Sequence, residues 1–162
     1  MFVHPTMSCC RNVFAGISRP IIEFPVDTAR TIASLALTGT LTRYADITFI
    51  FSHGGGVLPS IVNRLGAPVA ALAPEERARR LPQGLDYVLK RQYYDLASVA
   101  MNPAGMAAVL KLWPITQLTY GSDEPFNSTV GVANGIAKLG LPADDLALIH
   151  RGNAVRLFPR LA

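Results

Sequence analysis

Four short apolar segments recur along the chain, and each is followed by polar residues and then by a stretch with helical spacing. Residues 47–52 (ITFIFS) form a nearly continuous run of apolar and β-favouring residues. Such a run is typical of a strand buried on both faces of a parallel sheet. The other predicted strands are residues 1–4, 92–96 and 117–120. Because no hairpin turn sequences separate the four segments, the pattern predicts parallel βα units.

Helices are predicted between these strands. Apolar residues at helical spacing predict a helix from about Val26 to Arg43, with Asp27 or Thr28 as its N-cap. We expect residues 5–25 to be irregular, because this segment contains three prolines and a glycine. Further helices are predicted over residues 59–65, 103–112, 129–139 and 143–158, and over 74–92 with a break near Pro82 and Gly84.

Polar residues cluster where the predicted strands end. His4, His53, Asp95 and Asp123 stand at or near the strand C-termini, which is where a (β/α)8 barrel assembles its active site. Four βα units are half of such a barrel, whose usual length is about 250 residues. We therefore predict an α/β fold that forms half of a TIM barrel, with residues 1–162 as a single domain.

Composition supports a packed core and argues against a nucleic-acid-binding protein. Half of the 162 residues are hydrophobic (50%) and only 16% are charged. The net charge is +4, but the basic residues are scattered apart from Arg77, Arg79 and Arg80. These three follow Glu75 and Glu76 in a stretch of helix formers, so a solvated helix face is the better interpretation.

The cysteines and the lengths of the apolar segments indicate the cellular compartment of the protein. Cys9 and Cys10 are adjacent, so they provide neither a disulfide framework nor a CxxC metal motif. No apolar segment approaches the roughly 20 residues that a membrane span needs. The sequence therefore predicts a cytoplasmic protein that neither inserts into a membrane nor is secreted.

Three of the strand-end residues could carry chemistry, since imidazole and carboxylate groups bind divalent metals and transfer protons. His53 precedes three glycines that permit a close backbone approach, although the same sequence also suits a simple tight turn. A lone histidine at a strand end is more often structural than a ligand, so His4 has that alternative, and Asp123 could cap the loop before the next helix.

Three other polar residues have simpler predicted roles. We expect Asp95 to hydrogen-bond the neighbouring strand-end loops, Asn153 to cap the last helix and His150 to lie on the surface.

Six segments taken in order resemble one family of proteins. They are VHPT, EFPVDTAR, the run from Arg43 and Tyr44 to FIFSHGGGVLP, YYDLAS, YGSDEPF and GNAVRLF. Together they resemble the amidohydrolase-related family that contains aminocarboxymuconate semialdehyde decarboxylase and the hydroxybenzoate decarboxylases. The HPT start, the loop after it and IEFPVDTAR are also similar to the 6-methylsalicylate decarboxylase branch. The resemblance implies the C-terminal half of the barrel.

The resemblance also implies roles for the candidate residues. His4 matches a metal-binding histidine, His53 a catalytic histidine, and Asp123 a metal-binding aspartate that also takes part in proton transfer. Members of the family carry two further metal ligands in a His-x-His strand, whereas this chain contains only His4, His53 and His150. The site therefore lacks part of the family's ligand set.

The resemblance implies a non-oxidative decarboxylase that uses zinc or manganese and acts on an aromatic or muconate-type carboxylate. Two alternatives remain open: a metal-dependent hydrolase of an amide, ester or lactone, and a half barrel without catalytic activity. We expect the chain to form a homodimer or to pair with a complementary half barrel, because half a barrel leaves a sheet edge and an apolar face uncovered.

Overall fold

The computed structural model of the protein describes residues 1–6 and 16–162. At its centre is a parallel sheet with the strand order β1 (Phe2–Val3), β2 (Ile50–Phe51), β3 (Tyr93–Asp95) and β4 (Leu118–Thr119). Strands that follow one another in sequence are therefore neighbours in space, as in a βα barrel. The prediction of four parallel βα units is confirmed. Cys9 and Cys10 lie outside the described residues.

The strands are shorter than the apolar segments predicted them to be, but the backbone pairing extends beyond them. Next to β2, the Phe49 carbonyl accepts a hydrogen bond from Tyr93 N (2.9 Å), and Ser52 N donates to the Val3 carbonyl (3.2 Å). Ile47 lies outside the sheet, because its N–H turns back to the Tyr44 carbonyl. The predicted strand 47–52 is therefore correct in its centre and too long at its start.

The first helix, α1 (Arg19–Leu37), begins seven residues before the predicted start at Val26. The N-cap is Ser18 rather than Asp27 or Thr28, so both capping predictions are wrong. Pro20 stands in the first turn, where its missing N–H costs no helical bond. Pro25 lies inside the helix, and its carbonyl accepts from Val57 N at 3.2 Å. Two of the three prolines that suggested an irregular segment, Pro20 and Pro25, are therefore accommodated within α1. The prediction of an irregular segment over residues 5–25 is wrong from Arg19 onwards, and its residues 7–15 lie outside the described residues.

The predicted break near Pro82 and Gly84 is confirmed, whereas the predicted helix 143–158 is divided by a π-helical turn. The remaining helices include one at Gly66–Ala70 that was not predicted. They are α2 (Thr40–Arg43), α3 (Leu58–Ile61), α4 (Gly66–Ala70), α5 (Pro74–Arg80), α6 (Gly84–Lys90), α7 (Pro103–Leu112), α8 (Thr129–Ala137), α9 (Ala143–Ala147) and α10 (Asn153–Leu157). Among the residues that the structure describes, no helix combines the length and the apolar character needed to cross a bilayer.

Asn153 does not cap the last helix, so that prediction is wrong. A π-helical turn (Leu148–Gly152) runs directly into α10, so no free helix start needs a cap. Asn153 is instead fully buried and donates to the carbonyls of Ile115 (2.8 Å) and Leu118 (2.7 Å). It thereby fixes the chain on both sides of the start of β4.

Buried aromatic side chains link the sheet to the helices behind it. The rings of Tyr94 and Trp113 stack with centroids 4.1 Å apart and planes 5° from parallel. Trp113 Nε1 donates to the Gly54 carbonyl at 2.9 Å. This contact attaches the loop after β2 to the end of α7, so the loop that carries His53 rests on the core.

The outer strand β1 is much less covered than its neighbour. Phe2 is 56% exposed, whereas Phe51 is fully buried. At the other end of the sheet, Tyr120 N donates to the Ile149 carbonyl of the π-helical turn (2.9 Å). The exposed apolar edge expected for a half barrel is therefore present at β1.

Candidate functional site

The ends of β1, β2 and β4 bring His4, His53 and Asp123 together. His4 Nε2 lies 3.7 Å from Asp123 Oδ1, and His53 Nε2 lies 3.7 Å from Asp123 Oδ2. The two imidazole rings meet edge to face with centroids 5.3 Å apart. The predicted convergence of these three side chains at one face of the sheet is confirmed.

The backbone is strained where these side chains leave the strands. Among the residues that the structure describes, the non-glycine residues with positive φ are His53 (56°), Ser98 (57°) and Asp123 (60°). Histidine and aspartate tolerate this region better than most residues, whereas serine has no such preference. Strained residues of this kind cluster at functional sites, and each of the three follows a different strand of the sheet.

The glycines after His53 allow α1 to lie against the loop. A Cβ atom on Gly56 would stand 2.1 Å from the Pro25 carbonyl oxygen, and Gly56 has a φ of 65° and a ψ of −130°. Only glycine adopts this conformation readily. The predicted close approach of the glycine loop therefore occurs, against Pro25 of α1, and the alternative of a simple tight turn is wrong.

Asp95 supports the loop of His53 from the next strand. Its Oδ1 accepts hydrogen bonds from His53 N (3.1 Å) and Ala97 N (2.9 Å). Burial raises the pKa of the Asp95 carboxyl above its usual range, and the two backbone N–H donors oppose that rise. The prediction that Asp95 hydrogen-bonds neighbouring strand-end loops is confirmed.

Two further polar residues reach the site, and sequence reasoning missed both. Asn127 Nδ2 donates to Asp123 Oδ2 (2.9 Å) and to Ser98 Oγ (2.8 Å). Ser98 follows β3 much as His53 follows β2, so its position after a strand was a usable signal. Asn127 gave no such signal, because it immediately precedes the serine that caps α8 and resembles a residue of a capping sequence.

The two histidines differ in what their Nδ1 atoms contact. His4 Nδ1 lies 2.8 Å from the Pro5 carbonyl, so it must be the donor of that hydrogen bond. His53 Nδ1 is buried and has no hydrogen-bond partner among the described residues. In a neutral imidazole, the His4 tautomer leaves Nε2 as an acceptor that faces the Asp123 carboxylate.

These donor atoms suit a divalent cation. One ligand atom from each of His4, His53 and Asp123 can be chosen so that all lie within 4.8 Å of one another. His4 Nε2 and Asp123 Oδ1 are both acceptors, and a cation between them would satisfy both. The residues present therefore fit a metal, with mixed nitrogen and oxygen ligands of the kind that zinc and manganese accept.

A cavity of about 550 Å³ opens beside the three residues. Its wall is mainly apolar, with a few polar groups near Asp123. A second cavity of about 610 Å³ extends along the sheet from the same residues towards Phe2 and Phe158. The first cavity is lined by His4, Pro20, Ile21, Phe24, Pro25, His53, Gly56, Ser98, Val99, Asn102, Asp123 and Phe126.

His150 does not join this site. It is exposed, and its ring packs against Tyr120 with centroids 5.8 Å apart. The predicted surface position of His150 is confirmed.

Comparison with known proteins gives one family and a set of longer relatives. The family described as Amidohydrolase matches residues 2–160. Decarboxylase yanB of Aspergillus niger is 31% identical over 99% of this chain and 46% of its own length. The 6-methylsalicylic acid decarboxylase of Penicillium expansum is 26% identical over 99% of this chain and 50% of its own. The chain thus spans about half the length of these curated relatives.

Solved structures show the same fold over the same extent. The 5-carboxyvanillate decarboxylase of Novosphingobium aromaticivorans, complexed with manganese and 4-hydroxy-3-methoxy-5-nitrobenzoic acid, has a TM-score of 0.80 at 20% identity, over 98% of this chain and 47% of its own. A 2,6-dihydroxybenzoate decarboxylase complexed with 2,6-dihydroxybenzoate has a TM-score of 0.78 at 18% identity, over 99% of this chain and 51% of its own. The predicted fold, half of a TIM barrel, is confirmed.

Proposed function

We propose that this chain, which belongs to the amidohydrolase family, forms part of a metal-dependent non-oxidative decarboxylase acting on a small aromatic carboxylate. The observation that carries the proposal is the convergence of His4, His53 and Asp123 beside an apolar cavity. The names of the relatives support the same reaction, since they describe decarboxylases of 6-methylsalicylate and of dihydroxybenzoate.

We assign the metal to His4 and Asp123. A histidine that binds a metal almost always donates its other ring N–H to a carbonyl, carboxylate or water. His4 donates to the Pro5 carbonyl, whereas His53 Nδ1 has no partner in the described part of the chain. A bound zinc or manganese ion would orient the substrate carboxylate or an adjacent hydroxyl and neutralise its charge.

His53 is then available for proton transfer. In decarboxylation the bond between the ring carbon and the carboxylate carbon breaks, and its electron pair stays on the ring carbon. That carbon takes one proton while carbon dioxide leaves. His53 Nε2 lines the cavity and lies 3.7 Å from Asp123 Oδ2. We propose that His53 delivers this proton and that Asp123 helps to hold it on the imidazole.

The cavity supports an aromatic substrate rather than a long or highly charged one. Phe24, Pro25 and Val99 are among the apolar residues of its wall, and its volume of about 550 Å³ lies within the usual range for small-molecule sites. No Lys or Arg lines it among the described residues. The metal would therefore neutralise the charge of the substrate carboxylate, so substrate should bind only when the metal is bound.

We also propose that further barrel strands complete the site, whichever polypeptide carries them. Catalytic zinc sites usually take three protein ligands, and the assignment above provides two. A complementary half barrel, or a second copy of this chain, would also cover Phe2 at the exposed edge of β1. We therefore expect the 162-residue chain alone to bind metal weakly and to turn over slowly.

Product analysis in D2O tests the reaction directly. The chain would be incubated with Mn²⁺ or Zn²⁺ and with 2,6-dihydroxybenzoate or 6-methylsalicylate, alone and with the other half of the Penicillium expansum relative added as a separate polypeptide. We expect carbon dioxide release that rises in the mixture, with one deuteron on the ring carbon that carried the carboxylate. His53→Gln should abolish turnover, and His150→Gln should not. Ester or lactone hydrolysis without carbon dioxide release would favour the hydrolase alternative and contradict the proposal.

A further inference from the structure

Asn127 lies beside the Asp123 carboxylate but has no role in the proposed proton transfer. Its side-chain amide lies between two residues from different strand ends, with Nδ2 2.9 Å from Asp123 Oδ2 and 2.8 Å from Ser98 Oγ. Ser98 Oγ lies a further 3.5 Å from the same carboxylate oxygen. The three side chains form a closed triangle at the edge of the cavity that His4 and His53 also line.

The two oxygens of the Asp123 carboxylate have different neighbours. Both N–H groups of the Asn127 amide are used, one on Asp123 Oδ2 and one on Ser98 Oγ. Oδ2 therefore faces the amide and His53, and Oδ1 is left facing His4 Nε2 at 3.7 Å. Without the amide, the one hydrogen bond left to the Asp123 carboxylate among the described side-chain contacts would be the longer one from Ser98 Oγ to Oδ2 (3.5 Å).

The backbone of Ser98, whose hydroxyl accepts from the Asn127 amide, is strained. Val99 N donates to the Ala97 carbonyl across Ser98, whose φ is 57° and ψ is −49°. These features define a classic γ-turn, which is rare and strained. Strain of this kind persists only where the surroundings enforce it, and here it directs Ser98 Oγ at the Asn127 amide.

The amide is not needed to start the following helix. Ser128 caps α8 by itself, since its Oγ accepts from Gly131 N at 3.2 Å. The turn before the helix is closed by backbone bonds from Phe126 N and Asn127 N to the Asp123 carbonyl. The side chain of Asn127 is therefore free for a role at the site.

We infer that Asn127 is a positioning residue that holds the Asp123 carboxylate with Oδ1 towards the metal and Oδ2 towards His53, and that Ser98 fixes the amide. This inference rests on the proposed role of Asp123 as a metal ligand. Partners that orient metal ligands typically change metal affinity by about 10- to 100-fold when they are removed.

Metal affinity measures the positioning role without an activity assay. Mn²⁺ binding to the 162-residue chain would be followed by the loss of the free-ion EPR signal. Asn127→Leu, which keeps the size of the side chain but removes its donors, should weaken Mn²⁺ binding by about tenfold or more. Asn134→Leu is the matched control on the exposed face of α8 and should leave binding within about twofold. Equal affinities for Asn127→Leu and the wild type would overturn the inference.

A second measurement, made without metal, separates this inference from the proposed function. In the ¹⁵N-labelled metal-free chain, the Asn127 side-chain amide protons should exchange slowly, and Asp123→Ala should shift them and speed their exchange. The Asn134 amide should not respond. An Asn127 amide that exchanges freely and ignores Asp123→Ala would overturn the positioning role. A wild-type chain that binds no Mn²⁺ but keeps the coupled amide would contradict only the proposed metal site.

Discussion

Strands β1 and β2 are hydrogen-bonded neighbours, yet their surroundings differ. The His53 side chain, after β2, is 11% exposed and rests on a loop held by Asp95 and Trp113. The His4 side chain, after β1, is 41% exposed and follows a strand whose Phe2 faces solvent. The residue assigned to proton transfer is therefore buried and held by several contacts of the described chain, whereas the histidine assigned to the metal lies at an exposed edge of the sheet.

The largest contrast is expected between the two phenylalanines of these strands. Phe51→Ala should lower the free energy of unfolding by about 3–5 kcal/mol, because it removes a fully buried ring. Phe2→Ala should cost less than about 1 kcal/mol, because more than half of that side chain is already exposed. Urea denaturation of both variants would measure the difference. Similar losses would show that β1 is as well packed as β2.

The close approach of α1 to the His53 loop can be tested by adding a Cβ atom at Gly56. Gly56 and Gly140 have nearly equal φ values of 65° and 66°, but only Gly56 has atoms within 4 Å of an added Cβ. Gly140→Ala should cost about 1–2 kcal/mol from the left-handed conformation alone. Gly56→Ala should cost about 2–5 kcal/mol, since overpacking against Pro25 is added to the strain of a φ of 65° with a ψ of −130°, which only glycine adopts readily. Equal losses would mean that α1 does not press on the loop.

The support that Asp95 gives to His53 can be tested with two substitutions. Asp95→Ala leaves the N–H groups of His53 and Ala97 without their acceptor and should cost about 1–3 kcal/mol. Asp95→Asn retains an Oδ1 acceptor for both and should stay within about 1 kcal/mol of the wild type. Thermal unfolding would rank the variants, and an Asn variant as unstable as the Ala variant would contradict the acceptor role.

The stabilities of the wild type and of Asp95→Asn should depend differently on pH, because the pKa of Asp95 is raised in the folded state. Burial gives the folded state a higher Asp95 pKa than the unfolded state, so the folded chain binds that proton more tightly. This contribution to stability is present at low pH and is lost as pH rises from about 4 through the folded pKa. Asp95→Asn should lack that decline. If the wild type instead gains stability relative to Asp95→Asn as pH rises over this range, the pKa of Asp95 is lowered by folding and the prediction is wrong.

The smallest effect on stability is expected at His4. His4→Gln should change the free energy of unfolding by less than about 0.5 kcal/mol, because the side chain is 41% exposed and its one hydrogen bond among the described residues is to the adjacent Pro5 carbonyl. Denaturant titration without metal would check this. A loss of more than about 1 kcal/mol would show that His4 is structural.

Sequence patterns predicted most of the arrangement because the relevant signals are local. The apolar run around Phe51 and the polar residues that follow each strand were enough to place His4, His53 and Asp123 at one end of a parallel sheet. The glycines after His53 also indicated the close approach that Gly56 makes to α1. Residues that directly follow parallel strands come together in the fold because neighbouring parallel strands end at the same edge of the sheet. Their positions can therefore be predicted from the local sequence.

The features that the sequence did not reveal depend on tertiary contacts. Pro20 and Pro25 suggested a loop, but the first stands in the first turn of α1 and the carbonyl of the second bonds to Val57. Asn153 was assigned to a cap and instead holds two carbonyls beside β4. Asn127 reaches Asp123 only because the turn before α8 folds back over the site. The position of Pro20 just after Ser18 is a local helix-start signal that was not used, whereas the contacts of Pro25, Asn153 and Asn127 have no signature in the local sequence.

The most direct test of the account compares Mn²⁺ affinity after His4→Gln and after His53→Gln, each measured by titration calorimetry on the metal-free chain. The assignment rests on the Nδ1 atoms, since His4 donates to a carbonyl and His53 has no partner among the described residues. His4→Gln should weaken binding by at least about tenfold, and His53→Gln should leave it within about threefold. Loss of binding in His53→Gln with binding retained in His4→Gln would contradict the assignment of metal and proton to these two histidines.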